Sequence, residues 1–314
     1  MDHRTLGRSG LEVSVIGLGC NNFGGMIEWL DLERTRKVVH AALDAGITLF
    51  DTSDSYGTDG GSEKMLGEIL GDRRKDIVLA TKFASPLDRA KSSRFNGSRG
   101  YIMRAVEDSL RRLRTDYIDL YQYHFPDPLT PIEETLRALD DLVRQGKVRY
   151  IGCSNFSAWQ IVDADWTARH NGLHRFQSTQ AEYNLLSRRA EADLFPAIRH
   201  VGMTLLPYFP LASGLLTGKY RKGQPIPEGT RMSLPRFRAK LSETDLERVE
   251  KLIAFSEARG HSILELAFSW LLAQPIVTSV IAGATKPEQV EANARSASWT
   301  LTDEELTEID AICA

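Results

Sequence analysis

Apolar positions along the chain fall into two alternating patterns. Short, near-continuous runs rich in β-branched residues occur at 13–19 (VSVIGLG), 47–52 (ITLFDT), 77–81 (IVLAT), 117–124 (YIDLYQYH), 148–154 (VRYIGCS), 176–180 (FQSTQ), 203–208 (MTLLPY) and 277–283 (VTSVIAG). Runs of this length without polar alternation predict strands buried on both faces, as in a parallel sheet. Successive runs start about 30 residues apart, the length of one βα unit, except before the last, where the spacing is far longer.

The segments between them carry helix signals. In TPIEETLRALDDLVRQGK, Thr130 is expected as N-cap, Pro131 at the first helical position and Glu133 as the partner of a capping box. Ile132, Leu136, Leu139 and Val143 recur at helical spacing, and Gly146 is the stop. Ser157 with Gln160, and Thr302 with Glu305, predict two more capping boxes. Eight strands alternating with helices predict a (β/α)8 TIM barrel with extra helices and a long loop after strand 7. No linker or compositional shift divides residues 1–314, so a single domain is expected. RTLGRSGLEVS reads as an N-terminal β-hairpin turning at Ser9-Gly10 and closing the barrel floor. The rival is a doubly wound dinucleotide fold. Its support, GLGCNNFGG, puts Asn22 where the third glycine belongs, and no helix pattern follows until after Asp31. The stretch of roughly 209–241, rich in Gly, Pro and basic residues, is long enough to be a functional loop.

Composition narrows the classes. A net charge of −3, with 42% hydrophobic and 26% charged residues, is ordinary for a globular protein and gives no footprint for nucleic acid or acidic lipid. Cys20, Cys153 and Cys313 are far apart and form no framework, which favours a reducing compartment. The start, MDHRTLGRSG, has no apolar signal region, and no apolar run approaches the roughly 20 residues of a membrane span. The expectation is a cytoplasmic protein.

In a barrel, chemistry sits at the carboxyl ends of the strands. Those ends are Asp51 with Tyr56 beyond it, Lys82, His124, Ser154 with Asn155, Gln180, Tyr208 and Gly283. Each has a plain alternative: Asp51 as a turn cap, Lys82 as its structural ion-pair partner, His124 as a satisfied core histidine, Tyr56 as loop packing. Their convergence on one rim favours function. A free phenol titrates near 10 and is a reluctant acid at neutral pH; a neighbouring ammonium lowers that value. Lys82 is placed to do this, with Asp51 holding it charged and His124 orienting an incoming carbonyl oxygen. Such a set suits reduction of C=O, with hydride from a cofactor, since no side chain supplies one.

These residues resemble the aldo-keto reductase superfamily, over essentially the whole chain. The resemblance is carried by GLGCNNFGG, FDTSDSYG, GSEKMLGEIL, LATKF, DYIDLYQYHFPD, GKVRYIGCSNFS, QAEYNLL, PLASGLLTGKY and VIAGATKPEQVEANA, in that order. It implies a (β/α)8 barrel that binds extended NADP(H), with NAD(H) as the other possible cofactor, and a tetrad of Asp51, Tyr56, Lys82 and His124 with Tyr56 the general acid. By position it implies Ser154, Asn155 and Gln180 at the nicotinamide carboxamide and Tyr208 stacked on the ring. Leu211, Ser213, Gly214, Lys219 and Arg231 would surround the pyrophosphate, and Gly283, Thr285, Lys286, Gln289 and Asn293 the adenosine. Free N–H groups of a helix starting near Pro287 suit an anion, and Lys286 adds charge for a 2′-phosphate or is a plain surface lysine. Two departures bear on cofactor affinity and on NADP-over-NAD preference: Phe209 where related sequences often have Ser, and Ala292 where many have Glu.

Other readings remain open at this point. One is a nucleotide-sensing subunit like the potassium-channel β subunits of the same fold. Another is a Schiff-base barrel enzyme using Lys82. A glycosidase would need two acids, for which only Asp119 and Asp127 flank His124. There is no metal-ligand pattern such as HExxH. The expected partner is a small carbonyl or alcohol, with candidate pocket residues Asn21, Phe23, Met26, Ile27, Trp29, Phe125 and Phe209; these weakly favour an apolar or aromatic aldehyde. Neither nucleic acid nor membrane is expected as a partner.

Overall fold

The computed structural model describes residues 1–25, 30–85, 95–238 and 241–313. Met26, Ile27 and Trp29 therefore lie outside the described residues. The strands are β1 (His3–Thr5), β2 (Glu12–Ser14), β3 (Ile16–Gly19), β4 (Leu49–Asp51), β5 (Val78–Phe83), β6 (Ile118–Tyr123), β7 (Val148–Ser154), β8 (Ser178–Glu182), β9 (Thr204–Tyr208) and β10 (Val280–Gly283). The helices are α1 (Leu32–Asp44), α2 (Gly61–Leu70), α3 (Arg99–Leu113), α4 (Ile132–Arg144), α5 (Ala158–His170), α6 (Leu194–Val201), α7 (Pro235–Arg238), α8 (Glu243–Glu257), α9 (Ile263–Leu272), α10 (Pro287–Arg295) and α11 (Asp303–Cys313).

β3 to β10 form one parallel sheet in the order β10-β3-β4-β5-β6-β7-β8-β9. The ring is completed by a parallel bridge between Leu205 and Val277, where Leu205 N–H donates to Ile276 and Thr278 N–H to Leu205. The predicted (β/α)8 barrel is therefore the fold. α8 and α11 pack on each other as the additional helices. Strand interiors are apolar because a closed parallel sheet covered by helices meets water on neither face.

β1 and β2 form the predicted hairpin, with the turn between Leu6 and Leu11 closed by Leu6 N–H to Leu11. Leu6 and Val13 pack with Leu49, Val78, Ala80, Leu120, Leu206 and Ile281, the lower layer of the barrel interior. Burying this apolar layer is worth roughly 2 kcal/mol per large side chain. The hairpin is therefore the barrel's floor. Arg4 ties it to the far end of the chain by donating to the carbonyls of Val277 and Leu272.

Two local expectations are corrected. The run 13–19 is not one strand: it divides at Val15 into β2, which pairs with β1, and β3, which pairs with β4 and β10. The Ser14 hydroxyl donates to Ile16 and accepts from Thr48 N–H, so one side chain holds the chain as it leaves the hairpin for the barrel. The capping box at Thr130 and Glu133 does not form either. Pro131 takes the cap position with no side-chain cap bond, and the Thr130 hydroxyl donates to Asp127 Oδ2 instead, at 2.7 Å. The hydroxyl is turned towards a carboxylate acceptor in the preceding turn and away from the helix N-terminus. The boxes at Ser157/Gln160 and Thr302/Glu305 are present. Among the described residues no helix is long and apolar enough to cross a membrane.

Candidate active site

Parallel register delivers the candidate site side chains to one rim. Leu18 and Gly19 of β3 face Phe50 and Asp51 of β4, and Asp51 is in turn paired with Ala80 of β5. Lys82 pairs with Gln122, and Ser154 with Gln180. Backbone bonds continue past the strand ends: Asp54 N–H donates to Lys82, His124 N–H to Phe83 and Asn155 N–H to Gln180. The loop after β4 thus lies against the ends of β5 and β6.

At the centre is Lys82, 1% exposed. Its ammonium donates to Asp51 Oδ2 at 2.6 Å, to the Thr52 carbonyl at 2.8 Å and to the Tyr56 hydroxyl at 3.3 Å. Burial acts to lower the Lys82 pKa, but Asp51, then Tyr56, outweigh it, and the net direction is upward. The lysine is therefore a fixed cation. Asp51 uses its other oxygen to accept from Gln180 Nε2 at 2.6 Å and Gln122 Nε2 at 3.1 Å. Gln122 was not among the sequence-derived site residues. Its signal was a polar residue two positions before His124 on the inward face of an otherwise apolar strand.

Tyr56 corrects an electrostatic expectation. Lys82 does pull its pKa down, but desolvation acts more strongly, and the net direction is upward from 10. At neutral pH the side chain is a protonated phenol with an ammonium at its oxygen. Its ring stands edge-on to His124, with centroids 5.8 Å apart. His124 is 8% exposed, with Ser53 Oγ at 3.2 Å and Ser85 Oγ at 3.0 Å from Nδ1. Its ring stacks on Phe125, which stacks on Phe95, so an apolar wall stands beside the imidazole.

Asn155 links the next strand ends. It sits at φ +60°, a left-handed conformation that Asn tolerates better than most residues. Its Nδ2 donates to the His124 carbonyl at 2.9 Å, and its Oδ1 accepts from the Tyr208 hydroxyl at 2.9 Å. Phe209 follows at φ +53°, its carbonyl held by Asn184.

A cavity of about 870 Å³ opens on this rim. It is lined by Asp51, Tyr56 and His124, while Lys82 lies beneath them. Ser154, Asn155, Gln180 and Tyr208 also line it, as do Leu211, Ser213, Gly214, Lys219 and Arg231 of the loop after β9. Beyond them come Gly283, Thr285, Lys286, Gln289 and Asn293 around the start of α10. Every residue proposed from sequence for cofactor contact thus faces one continuous space. Gly214 sits at φ +103°, and a Cβ there would lie 3.3 Å from Lys219 Cε, so glycine permits this close passage. Arg231 reaches across the cavity mouth to Asn22 Oδ1 at 3.2 Å. At the far end Lys286 caps α10 with its backbone, and Pro287 is the first helical residue. A cavity lined by the cations Lys219, Arg231 and Lys286, with the N-terminus of α10 on its border, suits an extended, phosphate-bearing dinucleotide.

Of the candidate substrate-pocket residues, Asn21, Phe125 and Phe209 line the cavity, whereas Phe23 is core. Asp119 and Asp127, the acids a glycosidase would need, do not line it. Asp119 is paired with Arg74 and Arg149, and Asp127 accepts from Gly97 N–H, Leu129 N–H and the Thr130 hydroxyl. Among the described residues no group of His, Cys, Asp and Glu could hold a metal ion.

Comparison with known proteins shows the family. The family model for the aldo/keto reductase family matches residues 15–314. Aldo-keto reductase YhdN of Bacillus subtilis is 38% identical over 319 residues, covering 99% of this chain and 93% of that protein. A probable voltage-gated potassium channel subunit beta of Oryza sativa subsp. japonica is 36% identical, with 99% and 96% covered. The L-glyceraldehyde 3-phosphate reductase of Escherichia coli O157:H7 is 34% identical, with 99% and 92% covered. Barrel, rim and near full-length similarity agree: the chain belongs to the aldo/keto reductase family.

Proposed function

We propose that this protein is an NADP(H)-dependent oxidoreductase that reduces an aldehyde or ketone to an alcohol, or runs the reverse reaction. The observation that carries the reading is a buried Lys82 bonded to a protonated Tyr56 at the end of a dinucleotide-sized cavity. Bound NADP(H) supplies the hydride. The chain's own part is to bind, orient and protonate. Tyr56 gives the proton to the developing alkoxide, and Lys82, held by Asp51, stabilises the phenolate that results. His124 orients the carbonyl oxygen.

Ser154, Asn155 and Gln180 would hold the carboxamide, with Tyr208 as the wall for the ring. Gln180 Nε2 is already committed to Asp51 and Gln122, which fixes its amide plane. Leu211, Ser213, Gly214, Lys219 and Arg231 would surround the pyrophosphate, and Gly283, Thr285, Lys286, Gln289 and Asn293 the adenosine. Exposed Lys286 beside the α10 N-terminus favours a 2′-phosphate and hence NADP(H) over NAD(H).

The test is NADPH consumption, followed by absorbance, against a panel of aldehydes and ketones, with Tyr56→Phe as control. Turnover lost in the variant while NADPH still binds supports the reading. Absence of nucleotide binding refutes it. The similarity to potassium channel β subunits favours a second reading, a nucleotide-sensing subunit. Tight NADPH binding without turnover of any panel member would favour it.

A further inference from the structure

Behind His124 lies a buried polar group that the proposed reaction does not use. Asp54 is 1% exposed, and its Oδ1 lies 3.2 Å from Ser53 Oγ, which in turn lies 3.2 Å from His124 Nδ1. We propose that Asp54, acting through the Ser53 hydroxyl, is a positioning residue that selects which nitrogen of His124 carries the proton. The inference rests on the reading of His124 as the group that meets the substrate oxygen.

The hydroxyl is the key to the argument. It has one proton to give, and it sits between a carboxyl group and an imidazole nitrogen, with the Ser55 hydroxyl at 3.0 Å and the Ser55 N–H donating to it at 3.3 Å in either state. When Asp54 is protonated, its O–H donates to Ser53 Oγ and the Ser53 proton points to Nδ1. Nδ1 is then an acceptor, and the proton of a neutral imidazole resides on Nε2. Nε2 is the ring nitrogen that can meet a substrate oxygen, and as N–H it donates to a carbonyl. When Asp54 is ionised, it accepts a hydrogen bond from the Ser53 hydroxyl, which keeps its proton. Ser53 Oγ then accepts from Nδ1–H, and bare Nε2 accepts from an alcohol. One proton leaves to solvent between the two states, and the imidazole proton moves from Nε2 to Nδ1. The Ser85 hydroxyl, 3.0 Å from the same nitrogen, can rotate to serve either tautomer.

The surroundings favour the protonated state. Asp54 is faced by Glu63 of α2, Tyr101 and Arg112 of α3, Tyr121 of β6 and His124 beyond Ser53. The nearby cation, Arg112, is bonded to Glu63 at 2.7 Å, and Glu63 also accepts from Thr81 at 2.5 Å. Asp54 Oδ2 accepts from the neutral Tyr101 hydroxyl at 3.3 Å. Burial first, and the negative charge of Glu63 second, push the Asp54 pKa up to about 8, against the weaker opposite pull of Arg112. The switch therefore falls about one pH unit above neutrality. Reduction is favoured below it and alcohol oxidation above it.

The experiment combines imidazole 15N spectra with kinetics on the full-length native protein, Asp54→Asn and Ser53→Ala. His124 is assigned by the signal lost in His124→Asn. In the native protein the Nε2–H tautomer is expected at pH 7, giving way to Nδ1–H as pH passes about 8. Asp54→Asn, an amide that donates as the protonated acid does, should stay in the Nε2–H form throughout. Ser53→Ala, which leaves Asp54 in place, should lose the pH dependence. The native reduction kcat should fall about tenfold from pH 7 to pH 9, as expected for one group titrating near 8, and in Asp54→Asn it should not. An identical, pH-independent tautomer in the native protein and Asp54→Asn would overturn the inference even if turnover is vigorous. Tautomer switching without turnover of any carbonyl would instead overturn the reading of the reaction and leave the Asp54 linkage standing.

Discussion

Lys82→Met isolates the physical role of the buried ion pair. The side chains of Lys82 and Asp51 are 1% and 5% exposed and meet at 2.6 Å. Removing the ammonium leaves Asp51 buried with two amide donors, Gln122 and Gln180, and no cation. Breaking a buried pair from one side costs about 3–5 kcal/mol. With an unfolding entropy of about 2.1 cal/mol/K per residue, a chain of 314 residues loses roughly 1.5 °C of Tm per kcal/mol. The expected drop is therefore roughly 5–8 °C by scanning calorimetry. Removing both charges, with Lys82→Met and Asp51→Leu together, should restore most of that stability, since replacing a whole buried pair by apolar groups is often neutral. Neither variant should turn over carbonyl substrates, because Tyr56 loses the cation at its oxygen. A Tm drop below about 1.5 °C for Lys82→Met, or a double variant as unstable as the sum of the two single ones, would refute the reasoning.

Three further outcomes are expected. Gly57→Ala should lose about 2 kcal/mol or more in a denaturant melt and impair turnover. Gly57 sits beside Tyr56 at φ +75°, and a Cβ there would lie 2.6 Å from the Gly24 carbonyl. Asn155→Ala should lower stability by about 1–2 kcal/mol and raise KM for the cofactor, because the bonds to the His124 carbonyl and the Tyr208 hydroxyl go together. Asp140→Asn should flatten the acid limb of a stability-versus-pH curve. Burial acts to raise the Asp140 pKa, but bonds from Arg144 and His174 outweigh it, and the net direction is down. Its stabilising contribution is thus present above the unfolded carboxylate value, near 3.9, and is lost as pH falls through the lower folded value. Equal acid limbs for native and variant in thermal melts would count against this.

Much of this architecture was legible in the sequence because barrel strands have a simple signature. β5, β6 and β9 are largely apolar runs, and the polar groups that matter lie at or within two residues of the strands' carboxyl ends. Asp51, Lys82 and His124 could be assigned to one rim before any coordinates, since parallel strands all end there. What was not legible was decided by tertiary competition. Val13 and Ile16 look alike as apolar residues, yet one roofs the floor hairpin and the other lies in the barrel wall. Thr130 had a helix to cap and chose Asp127. Gln122 was hidden inside an apolar run, although it completes the cradle of Asp51. The direction of the Tyr56 shift depends on how much water the fold removes against how near Lys82 stands, and that balance is not a property of spacing.

The tie between the floor and the segment leading into β10 sets a timetable for synthesis. Arg4 meets its acceptor, Val277, 273 residues later in the chain. At roughly 5–20 residues per second, a ribosome needs about 15–55 seconds to deliver the second half of that contact after the first has emerged. In the last part of this interval, once β9 is made and before β10 follows, β3 and β9 are the open edges of an incomplete ring, each offering a row of unsatisfied peptide groups to other nascent chains. The half of the cavity around α10 is made last. A ribosome-bound chain stopped before β10 would therefore present the rim of Asp51, Tyr56 and Lys82 without the far end of the cleft, with its strand edges open until translation finished.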